Sequence, residues 1–329
     1  MRVGFIANLK DDVPPNDRHP PGDDYWDDLD DQAVVDSVLE ALEKLGHDAQ
    51  YIKPDDNIIE TLRDYSPDIV FNYAEGHFAS SREAQVPAIL DMLRIPYTGS
   101  GVLGMALCHD KVFTKKIIRC AGFKTPDYFA LNHPDDLPKI DMTFPLFVKP
   151  SHQGSSVGIN DDALVNTKSE LSDQVSWLWK KIYEPILIEE YIPGREFTVV
   201  IVNNEVFPLV EHISPIGFYS KAYKGEKRDE MGKICPVDLD ASIHEEIIEA
   251  CKGSFHALNM YDWGRFDVRM DNSGQYFILE VNPITTLTRD GSFAKSAWQA
   301  GYSYEDVIEI ILQSAIKRFR LTNTTQRYV

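Results

Sequence analysis

Hydrophobic and polar residues along the first hundred positions follow the pattern of a strand–helix–strand protein. Residues 2–7 are a short apolar run, and residues 32–45 carry apolar side chains at helical spacing before Gly46, a residue suited to ending a helix. Two further apolar runs, 49–52 and 69–72, are predicted strands. This order predicts a parallel sheet of the βαβ type at the N-terminus.

The rest of the chain also divides into predicted helices and strands. Helices are predicted over 83–93, 101–120, 242–258 and 304–318, and strands over 128–131, 144–149, 187–190, 196–202 and 205–210. Asn203 and Asn204 favour a tight hairpin turn between the last two strands. Residues 11–31, rich in Asp and Pro, predict a mobile surface loop or a plain solvated linker. The polar residues 322–329 predict a frayed end.

Composition narrows the class of protein. With 329 residues, 43% of them hydrophobic, and no apolar stretch of membrane-spanning length, the chain is expected to be a soluble, cytoplasmic protein of two or three domains. Its net charge of −19 argues against nucleic acid as a partner. The four cysteines lack the spacing of a metal site or a disulfide framework, which favours reduced thiols.

The segment 264–282 has the pattern with the clearest chemistry. The run Gly-Arg-Phe-Asp is followed by a strand, an Asp-Asn-Ser-Gly turn and a returning strand that ends in Glu-Val-Asn. In an antiparallel hairpin Asp267 and Glu280 lie near one another at the open end, and Glu280 and Asn282 share a face. These oxygen ligands suit magnesium or manganese and not zinc. A polar-tipped hairpin that binds nothing is the alternative.

Two further segments suit a nucleotide. A buried strand delivers Lys149 to its end and runs into a Gly/Ser loop, whose N–H groups and hydroxyls suit phosphate oxygens. A surface turn beside an edge lysine explains that pattern equally well. Residues 187–198 place carboxylates at both ends of a strand–turn–strand, suited to a ribose hydroxyl, an adenine amine or edge salt bridges. Lys111, with Lys115 and Lys116 on its predicted helix, is expected from position alone to be solvated.

With these segments in this order, the chain resembles the ATP-grasp superfamily and, within it, the D-alanine–D-alanine ligase family, from about residue 75 to residue 312. Six motifs carry the resemblance: Tyr97-Thr98-Gly99-Ser100-Gly101, Asp110-Lys111, Phe147-Val148-Lys149-Pro150 with Gly154-Ser155-Ser156-Val157-Gly158, the run from Glu189 to Thr198, Gly264-Arg265-Phe266-Asp267, and Glu280-Val281-Asn282. It implies an α/β protein of three domains. The first would be an N-terminal parallel-sheet (pre-ATP-grasp) domain (1–100). A central ATP-grasp subdomain with the phosphate loop (101–186) and a C-terminal ATP-grasp subdomain with a lid and a metal site (187–329) would follow. These last two would be α+β units that hold ATP between them.

The resemblance also implies roles for single residues. Those that would contact ATP are Lys111 and Lys149 at the phosphates, Ser155 and Ser156 in the loop over them, Glu189 with the backbone of Glu190, Tyr191 and Ile192 at the adenine, and Glu196 at the ribose. Those that would hold two magnesium ions, or manganese, are Asp267, Glu280 and Asn282. Arg265 would stabilise the acyl phosphate and the tetrahedral oxyanion, with Ser156 at the same reacting centre.

Residues 214–233 match the family's lid in position. Lys221-Ala222-Tyr223-Lys224 only approximates the Ala-Lys-Tyr of D-alanine ligases, so either lysine is a candidate for the γ-phosphate.

Departures from the family pattern concern the substrate. Residues 8–11 lack the Ser-x-Glu whose glutamate holds the donor amine, and Thr286 replaces a glycine whose N–H assists Arg265, although threonine does not easily adopt a positive φ. Gly291 and Ser292 stand near the family's site for the acceptor carboxylate. Glu75 is a further candidate substrate residue.

The resemblance implies an ADP-forming ligase. The γ-phosphoryl group of ATP moves to a carboxylate, an amine attacks the acyl phosphate, and phosphate leaves. The expected substrates are a small-molecule carboxylate donor and an amino-acid acceptor, the donor being an amino acid or another small acid. A homodimer is possible, and no membrane partner is expected. Two alternatives are a housekeeping D-alanine–D-alanine ligase and a non-catalytic ATP-binding regulatory module.

Overall fold

The computed structural model describes residues 1–12, 26–27, 29–139, 141–218, 220–224 and 226–321, apart from the side chains of residues 138, 139, 224 and 228. Most of the predicted loop 11–31 and all of the predicted frayed end 322–329 therefore lie outside the described residues. Both remain predictions.

The N-terminal part forms a parallel three-stranded sheet in the order β2-β1-β3, as the apolar pattern predicted. Its strands are β1 (Arg2–Ala7), β2 (Asp48–Ile52) and β3 (Ile69–Tyr73), and its helices are α1 (Gln32–Lys44), α2 (Ile58–Tyr65) and α3 (Gln85–Leu93). Helices on both faces bury apolar strands such as β3, all five residues of which are buried.

A second, antiparallel sheet has the order β4-β7-β5-β6. Its elements are β4 (Tyr128–Leu131), β5 (Leu146–Pro150), β6 (Leu164–Val165), α6 (Lys168–Ile182) and β7 (Ile186–Glu190). Leucine, valine and isoleucine side chains of α6 and the sheet form one core. Strand β5 delivers Lys149 to the edge of this core, as its sequence predicted.

The third sheet is the largest, with the order β11-β10-β8-β12-β13 and β9 paired to β8. Its strands are β8 (Gly194–Val202), β9 (Glu205–Val206), β10 (Val210–Ile213), β11 (Gly232–Ile234), β12 (Trp263–Asp271) and β13 (Tyr276–Asn282). The remaining helices are α4 (Val102–His109), α5 (Lys111–Cys120), α7 (Lys221–Lys224), α8 (Ala241–Ala257), α9 (Ser292–Gln299) and α10 (Tyr304–Arg318). Side chains of α4, α5 and α8 share one core with this sheet.

The structure groups β7 with the second sheet, and α4 and α5 with the third. The division into domains 1–100, 101–186 and 187–329 stays a prediction.

The helix predicted over 101–120 as one element is in fact two helices. Asp110 lies between α4 and α5 in extended conformation (φ −92°, ψ 103°), and its carboxylate accepts hydrogen bonds from the N–H groups of Val112 and Phe113. A short acidic side chain satisfies the free N–H groups at a helix start, which favours a new helix over the continuation of the old one. This break turns the following lysine inward.

The prediction of one continuous strand over 205–210 is also wrong. The segment divides into β9 and β10 on either side of Pro208, which has no N–H to donate to a sheet. The predicted turn before it is confirmed, since Asn203 and Asn204 have φ of 47° and 65°.

None of the helices in the described ranges combines the length and the apolar character that crossing a bilayer requires.

Candidate active site

A cavity of about 910 Å³, here called the central cavity, opens between the second and third sheets and is also lined by Lys10, Leu29 and Val34 of the N-terminal part. Its walls contain every predicted site residue except Glu75, Lys224 and Asn282. The side chain of Lys224 lies outside the described residues. Residues that are up to 181 positions apart in sequence therefore share one cavity.

The metal candidates lie where β12 and β13 pair. Asp267 stands directly opposite Glu280, and Arg265 stands opposite Asn282, as the predicted hairpin requires. One oxygen of Asp267 accepts from Arg265 (Nη2, 2.9 Å) and from the amide of Asn282 (Nδ2, 3.2 Å). The predicted proximity of the two carboxylates is confirmed.

Two carboxylates and an amide fit a hard cation in their donor chemistry, although the amide of Asn282 must turn its oxygen inward to serve. Among the described residues, no three His, Cys, Asp or Glu side chains form a metal-binding group. The remaining ligands of a magnesium ion here would be water and phosphate oxygens, which is how magnesium is normally held beside a nucleotide.

Two lysines converge on Glu280 from different elements. Lys111 at the start of α5 and Lys149 at the end of β5 have their ammonium nitrogens 3.8 and 3.9 Å from Glu280 Oε2. Both are buried, so the expectation that Lys111 is solvated is wrong. Burial alone would lower the pKa of Lys149, but Glu189 and Glu280 outweigh it and raise the pKa. The cavity thus holds fixed positive charge beside its carboxylates.

Lys115, one turn after Lys111, is a fully buried residue behind the cavity wall that sequence reasoning placed in solvent. Its side chain has no exposed surface, and its Nζ lies 2.8 Å from Glu189 Oε2 and 2.8 Å from Thr125 Oγ1. Burial lowers the pKa of Lys115 to about 8, although Glu189 acts in the opposite direction. The spacing to Lys111 was the available signal, because residues i and i+4 share a helix face.

Glu189 consequently lies between two ammonium groups, with Lys149 Nζ 2.7 Å from its other oxygen. Burial alone would raise the pKa of Glu189, but the two lysines outweigh it and keep the pKa below its usual value. The side chain predicted to face adenine is therefore engaged mainly in holding the two lysines.

The Gly/Ser loop follows β5 directly. Ser155 and Ser156 have φ of 49° and 59°, a left-handed conformation that costs a residue with a side chain about 1 kcal/mol. Gly158 is also left-handed, and a Cβ there would lie 2.5 Å from Ile182. The loop has the curled backbone whose N–H groups can surround an anion.

A second buried cluster supports this loop from behind. His152 lies between Asp110 (Nε2 to Oδ2, 3.2 Å) and Glu184 (Nδ1 to Oε2, 3.2 Å). Burial alone would lower the pKa of His152, but the two carboxylates outweigh this effect and raise the pKa to about 9. The ring of His109 is stacked beside that of His152 at an angle of 20°, with the centroids 6.0 Å apart.

The lid candidate lies over the loop. The N–H of Lys221 donates to Ile159 O (2.9 Å), and Ser220 Oγ donates to Asp161. The ammonium group of Lys221 pairs with Asp27, and Tyr223 is buried against the cavity. These contacts hold the lid candidate against the residues that follow the phosphate loop.

Glu190, Tyr191 and Ile192 line the cavity where the chain passes from the second sheet to the third. The N–H groups of Glu190 and Tyr191 donate to carbonyls of the second sheet region, at 2.8 and 3.2 Å. Glu196 accepts from Arg269 Nη1 at 2.8 Å. Burial raises the pKa of Glu196, and Arg269 opposes that rise.

The predicted substrate residues are only partly brought together. Thr286, Gly291 and Ser292 line the cavity, whereas Glu75 does not, and its carbonyl accepts from Arg82. Thr286 is not among the residues with a positive φ, so its backbone has a conformation that any residue can adopt.

His212 on β10 is a second residue that sequence reasoning did not find. Its Nε2 lies 2.9 Å from Thr198 Oγ1, which donates to Asp267, and 3.5 Å from Ser292 Oγ. A polar chain therefore connects a metal candidate with an acceptor-site candidate. No local motif marks a histidine on a strand, so the sequence offered no signal.

Comparison with known proteins agrees with this geometry. Residues 118–313 match the family described as D-ala D-ala ligase C-terminus. An uncharacterised protein y4sG of Sinorhizobium fredii is 33% identical over 302 residues, which covers 87% of this chain and 88% of that protein. A D-alanine–D-alanine ligase of Halorhodospira halophila is 33% identical over 284 residues, with coverage of 85% and 90%.

Solved structures agree on the fold. The D-alanine–D-alanine ligase of Bacillus anthracis complexed with ATP has a TM-score of 0.75 at 24% identity, covering 97% of this chain and 99% of that one. The VanG D-Ala:D-Ser ligase of Enterococcus faecalis has a TM-score of 0.73 at 20% identity, with coverage of 95% and 99%. The predicted ATP-grasp fold is confirmed. The chain belongs to the D-alanine–D-alanine ligase family of ADP-forming ATP-grasp enzymes.

Proposed function

We propose that this protein joins the carboxylate of one small molecule to the amine of an amino acid, with ATP converted to ADP and phosphate. The observation that supports this best is the meeting of Asp267 and Glu280 with Arg265, Lys111 and Lys149 in one cavity. Carboxylates for a metal and cations for a phosphoryl group are the two requirements of phosphoryl transfer.

The chain's own residues would divide the work as follows. Lys111 and Lys149 bind phosphate oxygens, and the loop at Ser155 and Ser156 surrounds them. Arg265 donates to the oxygen that gains charge when the amine attacks the acyl phosphate. The docked lid keeps water away from that intermediate.

Asp267, Glu280 and Asn282 would hold magnesium. When bound, magnesium neutralises charge on the transferred phosphoryl group.

Glu190, Tyr191 and Ile192, which also line the cavity, would border the adenine. Glu196 would accept from a ribose hydroxyl.

The test is release of ADP and phosphate by the purified protein with ATP, magnesium and a panel of amino acids and small carboxylates. Asp267→Asn should lower ADP formation about 100-fold or more, because it removes a charged ligand worth several kcal/mol in the transition state. Asp271→Asn is the control, since Asp271 lies on the same strand but in the turn, away from the cavity. If no panel member raises ADP release above background and Asp267→Asn behaves like the control, the proposal fails.

The substrates are proposed to be an amino-acid acceptor and a donor that differs from that of a housekeeping enzyme. At the place of the family's donor-binding Ser-x-Glu, Asn8 accepts from Gly76 N–H (2.9 Å) and lies within hydrogen-bond distance of His77. This side chain holds the N-terminal sheet together and has no charge for a donor amine.

A housekeeping D-alanine–D-alanine ligase is the second candidate, because several relatives have that name. An assay with D-alanine as the only amino acid distinguishes this candidate from a ligase that uses another donor. Formation of D-alanyl-D-alanine at a rate above that of every other pair would favour the housekeeping enzyme.

The non-catalytic ATP-binding module that the sequence left open would bind ATP in calorimetry and turn over no pair of substrates. Membership of an enzyme family argues against it.

A further inference from the structure

Arg269 is a buried cation that the proposed reaction does not use. It follows Arg265 and Asp267 on the same face of β12 and stands directly opposite Glu196 on β8. Its side chain is 4% exposed and lines the end of the cavity beside Tyr191 and Glu196. A buried guanidinium is stable only if its N–H groups find acceptors.

The guanidinium finds them in separate segments of the chain. Nη1 donates to Glu196 Oε2 (2.8 Å) and to Gly217 O (2.7 Å), and Nε donates to Ile192 O (2.6 Å). Nη2 makes longer contacts with Gly194 O (3.3 Å) and Tyr191 OH (3.4 Å). One side chain therefore joins a carboxylate of the cavity, the connection between two sheets and the segment that leads into the lid.

That last segment, residues 214–218, is here called the lid root. Gly217 is left-handed (φ 84°), and its carbonyl accepts from both Arg269 and Tyr191 OH. A Cβ at Gly217 would lie 2.7 Å from the tyrosine oxygen. The neighbouring Phe218 packs edge-on against Phe147, with the ring centroids 5.1 Å apart. The lid root is thus pressed onto the end of the cavity where the nucleoside is expected.

We propose that Arg269 is a positioning residue that makes ribose recognition and lid closure depend on one another. It holds the Glu196 carboxylate in place to accept from a ribose hydroxyl and fixes the lid root to the same point. This rests on the proposed function, in which Glu196 faces the ribose. A lid held open would release Gly217, and a displaced Glu196 would withdraw the partner that keeps the guanidinium oriented.

Lysine cannot replace this arrangement. The planar guanidinium presents its donors in a rigid fork, whereas an ammonium group is a point charge on a flexible stem. In Arg269→Lys the charge beside Glu196 survives but the simultaneous contacts with Gly217 and Ile192 do not. Comparison of Arg269→Lys with Arg269→Met therefore separates the effect of the positive charge from the effect of the simultaneous hydrogen bonds.

The first measurement is calorimetric binding of ATP, 2′-deoxyATP and 3′-deoxyATP with magnesium. The wild type should prefer ATP over at least one deoxy analogue. Arg269→Met should lower that preference about tenfold, since an unfixed charged acceptor loses about 1.4 kcal/mol of discrimination. Arg269→Lys should keep part of the preference.

The second measurement is the ratio of ADP released to amide formed. Both variants should raise it, because a loosened lid admits water to the acyl phosphate. Arg195→Met is the matched control. Arg195 is next to Glu196 in sequence, pairs with Glu211 through two hydrogen bonds (2.7 and 2.6 Å) and does not line the cavity.

Equal behaviour of the Arg269 variants and the wild type in both measurements overturns the inference, and so does a wild type that ignores the ribose hydroxyls. Should Arg269→Met fail to fold, Arg269→Lys decides, because the inference requires it to release more ADP per amide than the wild type. If the wild type binds ATP without turnover, the proposed function fails, whereas the binding ratios still decide the role of Arg269.

Discussion

Two lysines four residues apart on α5 are buried although lysine is usually exposed, because the folded chain surrounds them. Lys111 and Lys115 lie on the face of the helix that packs toward β13, whereas Lys116 is exposed. Burial of an ammonium group is unfavourable without a counter-charge, and Glu189 supplies it for Lys115. The pair connects α5 with β7, and hence the third sheet with the second.

Replacing Lys115 tests this connection. Lys115→Met should lower the free energy of unfolding by about 3 kcal/mol, because it leaves a buried carboxylate with one partner fewer. Urea denaturation measures the loss. Lys116→Met, on the same helix, should change stability by less than about 0.5 kcal/mol. Equal stability of the two variants would show that Lys149 alone compensates Glu189.

At the scale of elements, the break between α4 and α5 and the phosphate loop form one unit. Asp110 starts α5 and also holds His152, whose other ring nitrogen faces Glu184. The groups that face this imidazole are these two carboxylates and the ring of His109. The helix that carries Lys111 is therefore tied to the loop by a charged histidine.

A pH dependence of stability follows from this contact. The pKa of His152 is about 9 in the folded state and about 6.5 in the unfolded state, so the charged ring stabilises the fold fully below about pH 6.5. The contribution, of the order of 3 kcal/mol, is lost as pH rises toward 9.

Comparison of wild type with His152→Gln by urea denaturation at pH 6 and pH 9.5 checks this. The stability difference should be larger at pH 6. His133→Gln is the control, because His133 is exposed. A difference that stays constant with pH would mean that His152 acts only through packing.

At the scale of the whole molecule, α10 holds the N-terminal sheet onto the third sheet. Arg318 donates to Tyr97 O (2.8 Å), Gly99 O (3.0 Å) and the buried carboxylate of Asp262 (2.8 Å). Asp262 also accepts from Gly99 N–H at 2.9 Å. These contacts hold residues 97–99, which follow the N-terminal sheet and α3, against the start of β12.

Arg318→Met should destabilise the protein by about 3 kcal/mol, since Asp262 keeps its charge in a buried position and loses its cation. Thermal unfolding followed by circular dichroism measures the change. Lys317→Met, one residue earlier and exposed, should unfold within about 2 °C of the wild type. A variant at position 318 that matches this control would show that apolar packing alone holds the two sheets together.

The local sequence pattern was sufficient to predict most helices and strands and the hairpin that carries Asp267 and Glu280. Period two and a short turn determine which strand residues face each other, and both are properties of neighbouring residues. The same holds for the strand that delivers Lys149 and for the left-handed turn at Asn203 and Asn204. Motif order then identified the family.

The other features of the candidate site were determined by packing between distant segments of the chain. The charged partner of Lys115, the position of His212 and the contacts of Arg269 depend on segments distant in the chain, so no local spacing encodes them. A charged side chain is stable in the interior only where the folded chain brings it a partner, and that partner is known once the sheets and helices have packed.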